Sequence, residues 1–311
     1  MMARMQASLL ADGRLHLNDG PIDLIVFADG ASEDVRRAYN AAVERFSSVL
    51  DELCSELSLL RAPCSSASPQ PEGAVARRMD AATRPLGDQR FITRMAAVAG
   101  AVADEILSCM LTSATLRRAY VNNGGDIALH LAGDAGLNIG LVDDPADPTL
   151  LGMSTLKAWH GVRGVATSGW RGRSFSLGIA DAVTALAENA ARADAAATLV
   201  ANAVDLPGHA AIIRASASEI DLQTDLGTRL VTRGVGLLSD AEIGVALSNG
   251  EREAQRLIEA GAIVAASLRL QGRTRVVGRL PIERPVIQDE ARRYMPQRRE
   301  DMEWRLISAR S

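Results

Sequence analysis

The sequence predicts an α+β fold in which mixed sheets are covered by long helices. Segments of alternating apolar residues and segments of helical apolar spacing follow each other without the regular strand-helix-strand repeat of a doubly wound sheet. The 311 residues, 47% of them hydrophobic, are enough to bury a large core. We therefore expect a single α+β domain over residues 1–280, built from one body or from two closely packed halves.

The first predicted elements form a small sheet covered by a helix. Two short apolar stretches within residues 5–17 are separated by Asp12 and Gly13, which is typical of a β-hairpin. Residues 21–28 continue as a third strand. A long helical pattern over residues 32–60, with Ser32 as its expected N-cap, should pack on this sheet.

A serine- and proline-rich loop near residues 64–72 follows, and it could join two halves of the domain. Helical patterns then cover residues 73–82 and 95–110. The second pattern is rich in alanine and valine and contains Gly100, and such small residues permit close approach by another backbone or by a ligand. We expect this second helix to be buried.

The second half of the chain mixes strands and helices and ends in a charged tail. A strand, a tight glycine turn and a strand are predicted over residues 120–142. Further elements are expected as strands at 162–166 and 183–187, helices at 191–204 and 239–260 with Ser239 as an N-cap, and a hairpin of 262–270 with 274–280. The arginine-rich residues 281–311 are expected to form an arm that is exposed or that clasps a homo-oligomer.

Composition and charge narrow the function classes. The net charge of -4 provides no positive field for nucleic acid, so we expect no nucleic-acid partner. Three scattered cysteines suggest neither a disulfide framework nor a zinc cluster. We find no signal-like leader, and no apolar run reaches the ~18 residues that span a bilayer. The expectation is a cytoplasmic protein without a membrane partner.

The densest polar segment is a glycine loop. It consists of Asn122, Asn123, Gly124, Gly125 and Asp126. Paired glycines let backbone N–H groups turn towards an anion or a ring edge, and the amide and carboxylate groups can read polar ligand atoms. The same residues are typical of a hairpin turn, which local considerations favour.

A second polar segment follows a strand. It contains Thr167, Ser168, Gly169 and Arg173, whose groups suit a phosphate-binding loop. A polar connection in which serines stabilise turns is equally consistent. Arginine alone is weak support for phosphate binding in this chain, because Lys157 is the only lysine and arginine carries nearly all of the positive charge.

Three further residues are candidates for metal binding or proton transfer. Asp194 and Thr198 are four positions apart and share a helical face, where their oxygens could hold Mg²⁺. An aspartate in the first turn also caps a helix, and this alternative is favoured locally. Asp181, alone in an apolar stretch, is a candidate general base or second metal ligand, with a satisfied half-buried aspartate as the favoured alternative.

Taken in this order, the three segments resemble the ApbE-like superfamily, which is T-fold-related and includes Mg²⁺-dependent FAD:protein FMN transferases. In that family an Asn-x-Gly-Gly-Asp segment contacts the flavin nucleotide, an Ala-Thr-Ser-Gly segment follows, and the Asp and Thr of Ala-Asp-Ala-x-x-Thr bind the metal. Residues 122–126, 166–169 and 193–198 match these segments. The resemblance implies FAD or a related flavin nucleotide and Mg²⁺ as cofactors.

Two motifs of the transferases are missing. Their Gly-Ala-x-Ala-Lys-Gly segment, in which a backbone carbonyl completes the metal site, corresponds to residues 96–100 here, without the lysine. The resemblance still assigns Ala97 to the metal and Met95 to the cofactor. Residues 177–182 replace the His-x-x-Asp-Pro motif. The chain is thus similar to an uncharacterised branch beside the true transferases, found in bacteria and methanogenic archaea.

Three functions are consistent with these features. The first is a Mg²⁺-dependent nucleotidyl or FMN transferase that uses FAD, with Asp181 as base. The second is a binding module that keeps the pocket and has lost the chemistry, as the missing motifs suggest. The third is a site for a different heterocyclic cofactor, such as a pterin.

Overall fold

The computed structural model describes residues 4–142, 150–279 and 282–283. The helices are α1 Ser32–Ser55, α2 Leu57–Arg61, α3 Ala74–Gly87, α4 Val98–Ser113, α5 Ala190–Ala203, α6 Ala217–Ile220 and α7 Asp240–Glu259. The strands are β1 Gln6–Leu9, β2 Leu15–Asp19, β3 Ile22–Gly30, β4 Leu116–Asn123, β5 Asp126–Leu131, β6 Gly136–Val142, β7 Leu150–Lys157, β8 Gly164–Ser168, β9 Ala182–Ala187, β10 Ile212–Ser216, β11 Leu230–Val235, β12 Ala265–Leu270, β13 Arg273–Gly278 and β14 Ile282–Glu283.

Nine strands form one sheet in the order β1-β2-β3-β4-β5-β8-β9-β12-β13, and each neighbouring pair in it is antiparallel. Helices α1, α4, α5 and α7 pack against this sheet. Strands β6, β7 and β14 form a three-stranded sheet, and β10 with β11 forms a two-stranded one. The predicted α+β fold with long covering helices is confirmed.

Alternate residues of the central strands face two hydrophobic cores, as the period-2 geometry of a strand requires. In β5, β8 and β9 the small residues Ala128, Ala166 and Ala185 contribute to the large core under the helices. Their neighbours contribute to a second core shared with the β6–β7 hairpin, and include Leu129 and Leu186. Small residues on the helix side allow α4 and α5 to approach the sheet closely.

Two predicted helix N-caps have different outcomes. Ser239 caps α7, because its hydroxyl accepts a hydrogen bond from Glu242 N–H while the Glu242 carboxylate accepts one from Ser239 N–H. Ser32 was expected to cap the first long helix, but it is the first helical residue and Ala31 occupies the cap without a side-chain bond. Glu33 and Asp34 instead place negative charge in the first turn.

The buried helix predicted at residues 95–110 is a 3₁₀ turn, Arg94–Ala97, that continues into α4. In the described part of the chain, residues 94–113 form one stretch that is long and apolar enough to cross a membrane, with mean hydropathy 1.5. The stretch contains Arg94, Asp104 and Glu105, so it holds no uninterrupted apolar run of that length. Half of the stretch is buried, and α4 packs against α1, α3 and α5 in the manner of a core helix.

The loop expected near residues 64–72 connects α2 to α3, and Arg84 makes several of the side-chain hydrogen bonds that hold it. The guanidinium group of Arg84 donates to the carbonyl oxygens of Ser65, Ser66, Ser68 and Pro69. The large core includes residues from both sides of this loop. The predicted C-terminal arm at 281–311 lies outside the described residues, except for β14.

Candidate functional site

The glycine loop is a hairpin turn between β4 and β5, as its local sequence favours. Asn123 pairs with Asp126 across the ladder, and Gly124 and Gly125 adopt φ of +64° and +115°. Positive φ at both central positions is the geometry that favours glycine in two-residue hairpins. The Asn122 side chain accepts from Gly125 N–H at 2.8 Å and closes the turn.

The same turn brings Asp126 beside Asp194 of α5. The Asp126 carboxylate accepts from Thr167 N–H at 3.2 Å, and that of Asp194 accepts from Gly100 N–H at 3.1 Å. Neither carboxylate has an ion pair within the described residues close enough to neutralise it. We call Asp126 and Asp194 the carboxylate pair.

Burial changes the protonation of the carboxylate pair. It raises the pKa of Asp126 to about 7, against the opposing effects of Thr167 N–H and the Arg173 charge. Burial and then the negative charge of Asp126 raise the pKa of Asp194 well above its usual range. Two like charges held in a poorly solvated place favour a bound proton, and they would also favour a bound cation.

Helices α4 and α5 cap each other next to this pair. Asp194 on α5 accepts from Gly100 N–H in the first turn of α4, and Asp104 on α4 accepts from the N–H groups of Ala190 and Ala191 at 3.0 and 2.9 Å. Burial raises the pKa of Asp104 to about 6. Sequence reasoning missed Asp104, although a carboxylate within an apolar, alanine-rich helix was the available signal.

Gly100 permits this arrangement. A Cβ atom at this position would lie 2.3 Å from the carbonyl oxygen of Ala190, so only glycine allows the two helix starts to touch. On the other side of α4, the Asn123 amide donates to the Ala99 carbonyl at 3.1 Å and ties the glycine loop to the same helix start. Three segments that are far apart in sequence therefore meet at one point.

The predicted phosphate-binding loop lies against the glycine loop. Arg173 extends over Gly124, where a Cβ atom would come within 1.7 Å of a guanidinium nitrogen. The hydroxyls of Thr167 and Thr184 are 2.9 Å apart, on paired positions of β8 and β9. Ser168 is half-buried at the end of β8, and Gly169 packs against the Asp181 carbonyl. Arg173 donates no hydrogen bond to a described residue, so its fork remains available to an anion.

The remaining metal and cofactor candidates lie on α5 and on the turn before α4. Thr198 is half-buried one turn further along α5, and Ala97 is buried at the end of the 3₁₀ turn, where Met95 is half-buried. Carboxylate, hydroxyl and carbonyl oxygens are the hard donors that Mg²⁺ prefers. No group of three His, Cys, Asp or Glu side chains able to hold a metal occurs in the described residues. The donor set fits Mg²⁺ only if backbone, hydroxyl or ligand oxygens complete it.

Asp181 is placed differently from the other candidates. Its carboxylate accepts from Trp170 Nε1 at 3.2 Å, Arg171 Nε at 2.8 Å and the Gln271 backbone N–H at 2.5 Å. These three donors occupy the carboxylate and join the 169–181 loop to the end of β12. The geometry supports the satisfied structural aspartate over a free base, and none of these partners belongs to the carboxylate pair.

Comparisons with known proteins identify the family of the chain. The family model described as AbpE bacteria matches residues 7–276. A UPF0280 protein of Methanopyrus kandleri is 37% identical over 60% of this chain and 75% of its own length. One of Methanosarcina barkeri is 32% identical over 57% of this chain and 64% of its own length. These names state no reaction.

Two solved structures show a more distant likeness. The apo form of the flavinyl transferase ApbE of Pseudomonas stutzeri aligns with a TM-score of 0.37 and 10% identity, over 89% of this chain and 94% of its own. An ApbE protein of Thermotoga maritima aligns with a TM-score of 0.38 and 15% identity, over 90% of this chain and 96% of its own.

Proposed function

The chain belongs to the AbpE bacteria family, an uncharacterised branch of the ApbE-like superfamily, and from this premise we propose that it binds a flavin or related nucleotide cofactor with Mg²⁺ at the carboxylate pair. One observation carries the proposal. Asp126 and Asp194, on separate segments, lie together without a salt bridge to any described residue, and burial raises the pKa of both. A divalent cation would replace the proton that this arrangement favours.

The metal ligands that we propose are Asp194, Thr198 and the carbonyl of Ala97, with Asp126 close by. When bound, Mg²⁺ would neutralise negative charge on a pyrophosphate group. Asp194 contributes the charge, and its bond from Gly100 N–H fixes the orientation of the carboxylate. Thr198 is one turn along the same face of α5, so a single helix supplies two of the oxygens.

The nucleotide side of the proposed site comprises the glycine loop and the segment that contains Thr167, Ser168 and Arg173. Gly124 leaves room for the Arg173 guanidinium, whose donors match phosphate oxygens. Asn123 is fixed by its bond to the Ala99 carbonyl, which orients the loop. Met95, half-buried before α4, is a proposed apolar contact for the ring system.

We propose nucleotidyl or FMN transfer as the reaction, with FAD as the donor. The pyrophosphate bond of FAD would break as the FMN phosphorus bonds to an acceptor hydroxyl, AMP would leave, and the hydroxyl proton would pass to solvent or to a base. With water as acceptor the products are FMN and AMP. The carboxylate pair would hold the metal and Arg173 would orient a phosphate. Asp181 remains a candidate base only if ligand binding releases its three donors.

A second candidate is a flavin- or pterin-binding protein without turnover, and a specific observation favours it. Asp181 is occupied by Trp170, Arg171 and Gln271, so the loop that replaces the His-x-x-Asp-Pro motif presents no free carboxylate in this state. The transferase lysine is also missing from residues 96–100. Such a protein would keep Mg²⁺-dependent binding.

The two candidates are separated by one experiment with purified protein. FAD is titrated with and without Mg²⁺ while its fluorescence is followed, and the mixtures are then analysed by chromatography for FMN and AMP. Both candidates predict Mg²⁺-dependent binding, and only the transferase predicts FMN and AMP. If neither FAD nor a pterin binds with Mg²⁺ present, the proposed function is wrong.

The cellular setting stays a prediction. The three cysteines Cys54, Cys64 and Cys109 are free thiols, which is compatible with a reducing cytoplasm. We also propose a homo-oligomer and a small-molecule partner, without nucleic acid or membrane.

A further inference from the structure

A cleft of about 510 Å³ lies outside the site described above. It is formed by the end of α5, the middle of α7 and the segment after α3, and it lies within the size range of small-molecule sites. We call it the arginine cleft. Its polar lining includes Arg90, Asn202, Asn249, Arg252, Glu253 and Arg256.

The charges of the arginine cleft leave positive potential at its surface. Glu253 is buried, and its two oxygens accept from Arg90 at 3.0 Å and from Arg256. Asp205, the other lining carboxylate, pairs with Arg214, which does not line the cleft. One carboxylate thus pairs with two guanidinium groups, and Arg252 contributes a third guanidinium group to the cleft. This is a local excess of positive charge in a chain of net charge -4.

The cleft also presents hydrogen-bond donors that the fold does not use. The side-chain oxygen of Asn202 accepts from Leu177 N–H at 2.8 Å and from the Ser176 hydroxyl, which fixes its orientation. The Asn202 amide nitrogen therefore points away from that loop and donates to no described residue. Arg252 is exposed and donates to Asn249. Donors from α5 and α7 converge while the acceptors of Glu253 are occupied.

We propose that the arginine cleft is a second binding site, which takes the phosphate group of a phosphorylated small molecule. Planar guanidinium groups and an amide N–H on different walls suit an anion that has several acceptor oxygens. The site is distinct from the carboxylate pair, because Asn202 follows Asp194 by two turns of α5, a rise of ~12 Å. This inference does not depend on the proposed function.

The test is calorimetric titration of inorganic pyrophosphate into the full chain with EDTA present, so that no Mg²⁺ site contributes. Wild type should bind saturably, and Arg252→Gln should bind about tenfold more weakly, the typical effect of losing a hydrogen bond to a charged group. Arg275→Gln is the matched control, since Arg275 is an exposed arginine on β13, and it should bind like wild type.

A second variant tests the amide. Asn202→Asp keeps the acceptor for Leu177 N–H, removes the donor and adds a negative charge, so it should also bind at least about tenfold more weakly. Thermal unfolding of each variant checks that the fold is intact. Citrate, titrated in parallel, separates phosphate recognition from a general preference for anions.

Several outcomes would overturn the proposal. They are the absence of saturable binding by wild type, wild-type affinity in both Arg252→Gln and Asn202→Asp, or tighter binding of citrate than of pyrophosphate. Loss of binding in Arg173→Gln alone would assign the anion to the glycine-loop site instead. Failure here leaves Mg²⁺-dependent flavin binding untouched, because that property is measured without EDTA and depends on Asp194.

Discussion

Asp181 and the carboxylate pair are aspartates in similarly apolar surroundings, but the fold treats them in opposite ways. Asp181 receives three donors, including the Arg171 guanidinium. Asp126 and Asp194 accept hydrogen bonds from backbone N–H groups and repel each other, and the pKa of both is raised. The first arrangement satisfies a buried charge, whereas the second leaves two half-buried carboxylates without a salt bridge to a described residue.

This difference separates a structural carboxylate from a functional one. A charge that serves only the fold is expected to be paired, because an unpaired buried charge destabilises the native state. The stability of the fold does not account for two neighbouring carboxylates without a salt bridge. A ligand that binds between them would account for it. We therefore propose that Asp181 serves stability and that the carboxylate pair serves ligand binding.

The largest expected effect is on metal-dependent binding. Asp194→Asn should weaken Mg²⁺-dependent FAD binding by roughly 100-fold or more, since loss of a metal ligand exceeds the ~10–100-fold cost of losing an outer partner of such a ligand. The same variant should be at least as stable as wild type without Mg²⁺ at pH 8, because the desolvation and the repulsion from Asp126 that raise the pKa of Asp194 are removed. Fluorescence titration and thermal unfolding measure the two effects. Weakened binding together with lower stability would point to a folding defect.

The next effect is the pH dependence of stability without metal. The pKa of Asp126 is raised to about 7, so the protonated form stabilises the fold. That contribution is complete below the unfolded pKa of about 4 and is lost as the pH rises through about 7. We expect the free energy of unfolding to fall by on the order of 2–3 kcal/mol between pH 5 and pH 8.

Urea unfolding across this range, with Asp126→Asn as the reference, isolates the Asp126 contribution. The variant should show a smaller decline than wild type, and added Mg²⁺ should reduce the decline in wild type. An identical decline in both proteins would mean that Asp126 does not titrate in this range.

A smaller effect is expected for the structural carboxylate. Asp181→Asn replaces an acceptor of three bonds with a group that turns an NH₂ towards its former donors, so we expect a loss of about 2 kcal/mol in stability. Mg²⁺-dependent FAD binding should stay within a factor of about two. Denaturant unfolding and the same fluorescence titration provide both numbers. A selective loss of turnover with unchanged stability would restore Asp181 as the base.

The smallest effect is at the glycine turn. Gly124→Ala should cost about 1 kcal/mol of stability because φ is +64°, and it should also displace Arg173 and weaken flavin nucleotide binding. Gly13→Ala is a matched control, since Gly13 has φ of +82° and open space around its Cβ position. It should lose similar stability and keep its binding. If both variants bind the flavin nucleotide equally well, Arg173 does not contribute to ligand binding.

Much of the fold was readable from local patterns. The Ser239 cap and the Asn-Gly-Gly-Asp turn depend on residues a few positions apart, so sequence alone predicts them. Ser32 shows the limit of this approach, because the helix begins one residue earlier than the polar side chain suggests and Ala31 occupies the cap position. Strand β6 lies at the end of the predicted strand region 120–142, but β7 was not predicted. The role of the β6–β7 hairpin in covering the second core depends on long-range packing.

The site was predicted in its parts and not in its assembly. The order of the polar segments suggested that Asp126 and Asp194 share a ligand. The mutual capping of α4 and α5 by Asp104 and Asp194 joins residues 86 to 94 positions apart, and only the tertiary structure brings them together. The sequence did not predict the arginine cleft either, because its residues come together only in the tertiary structure. In addition, arginine is so common in this chain that no single arginine stands out.

The most direct test is calorimetric titration of Mg²⁺ at pH 8 into protein mixed with excess FAD, for wild type, Asp194→Asn and Asp181→Asn, with Mg²⁺ titrated into FAD alone as the blank. The account predicts saturable Mg²⁺ binding by wild type and by Asp181→Asn, and none by Asp194→Asn. Wild-type Mg²⁺ affinity in Asp194→Asn, or equal loss in both variants, would contradict the assignment of the carboxylate pair to the metal.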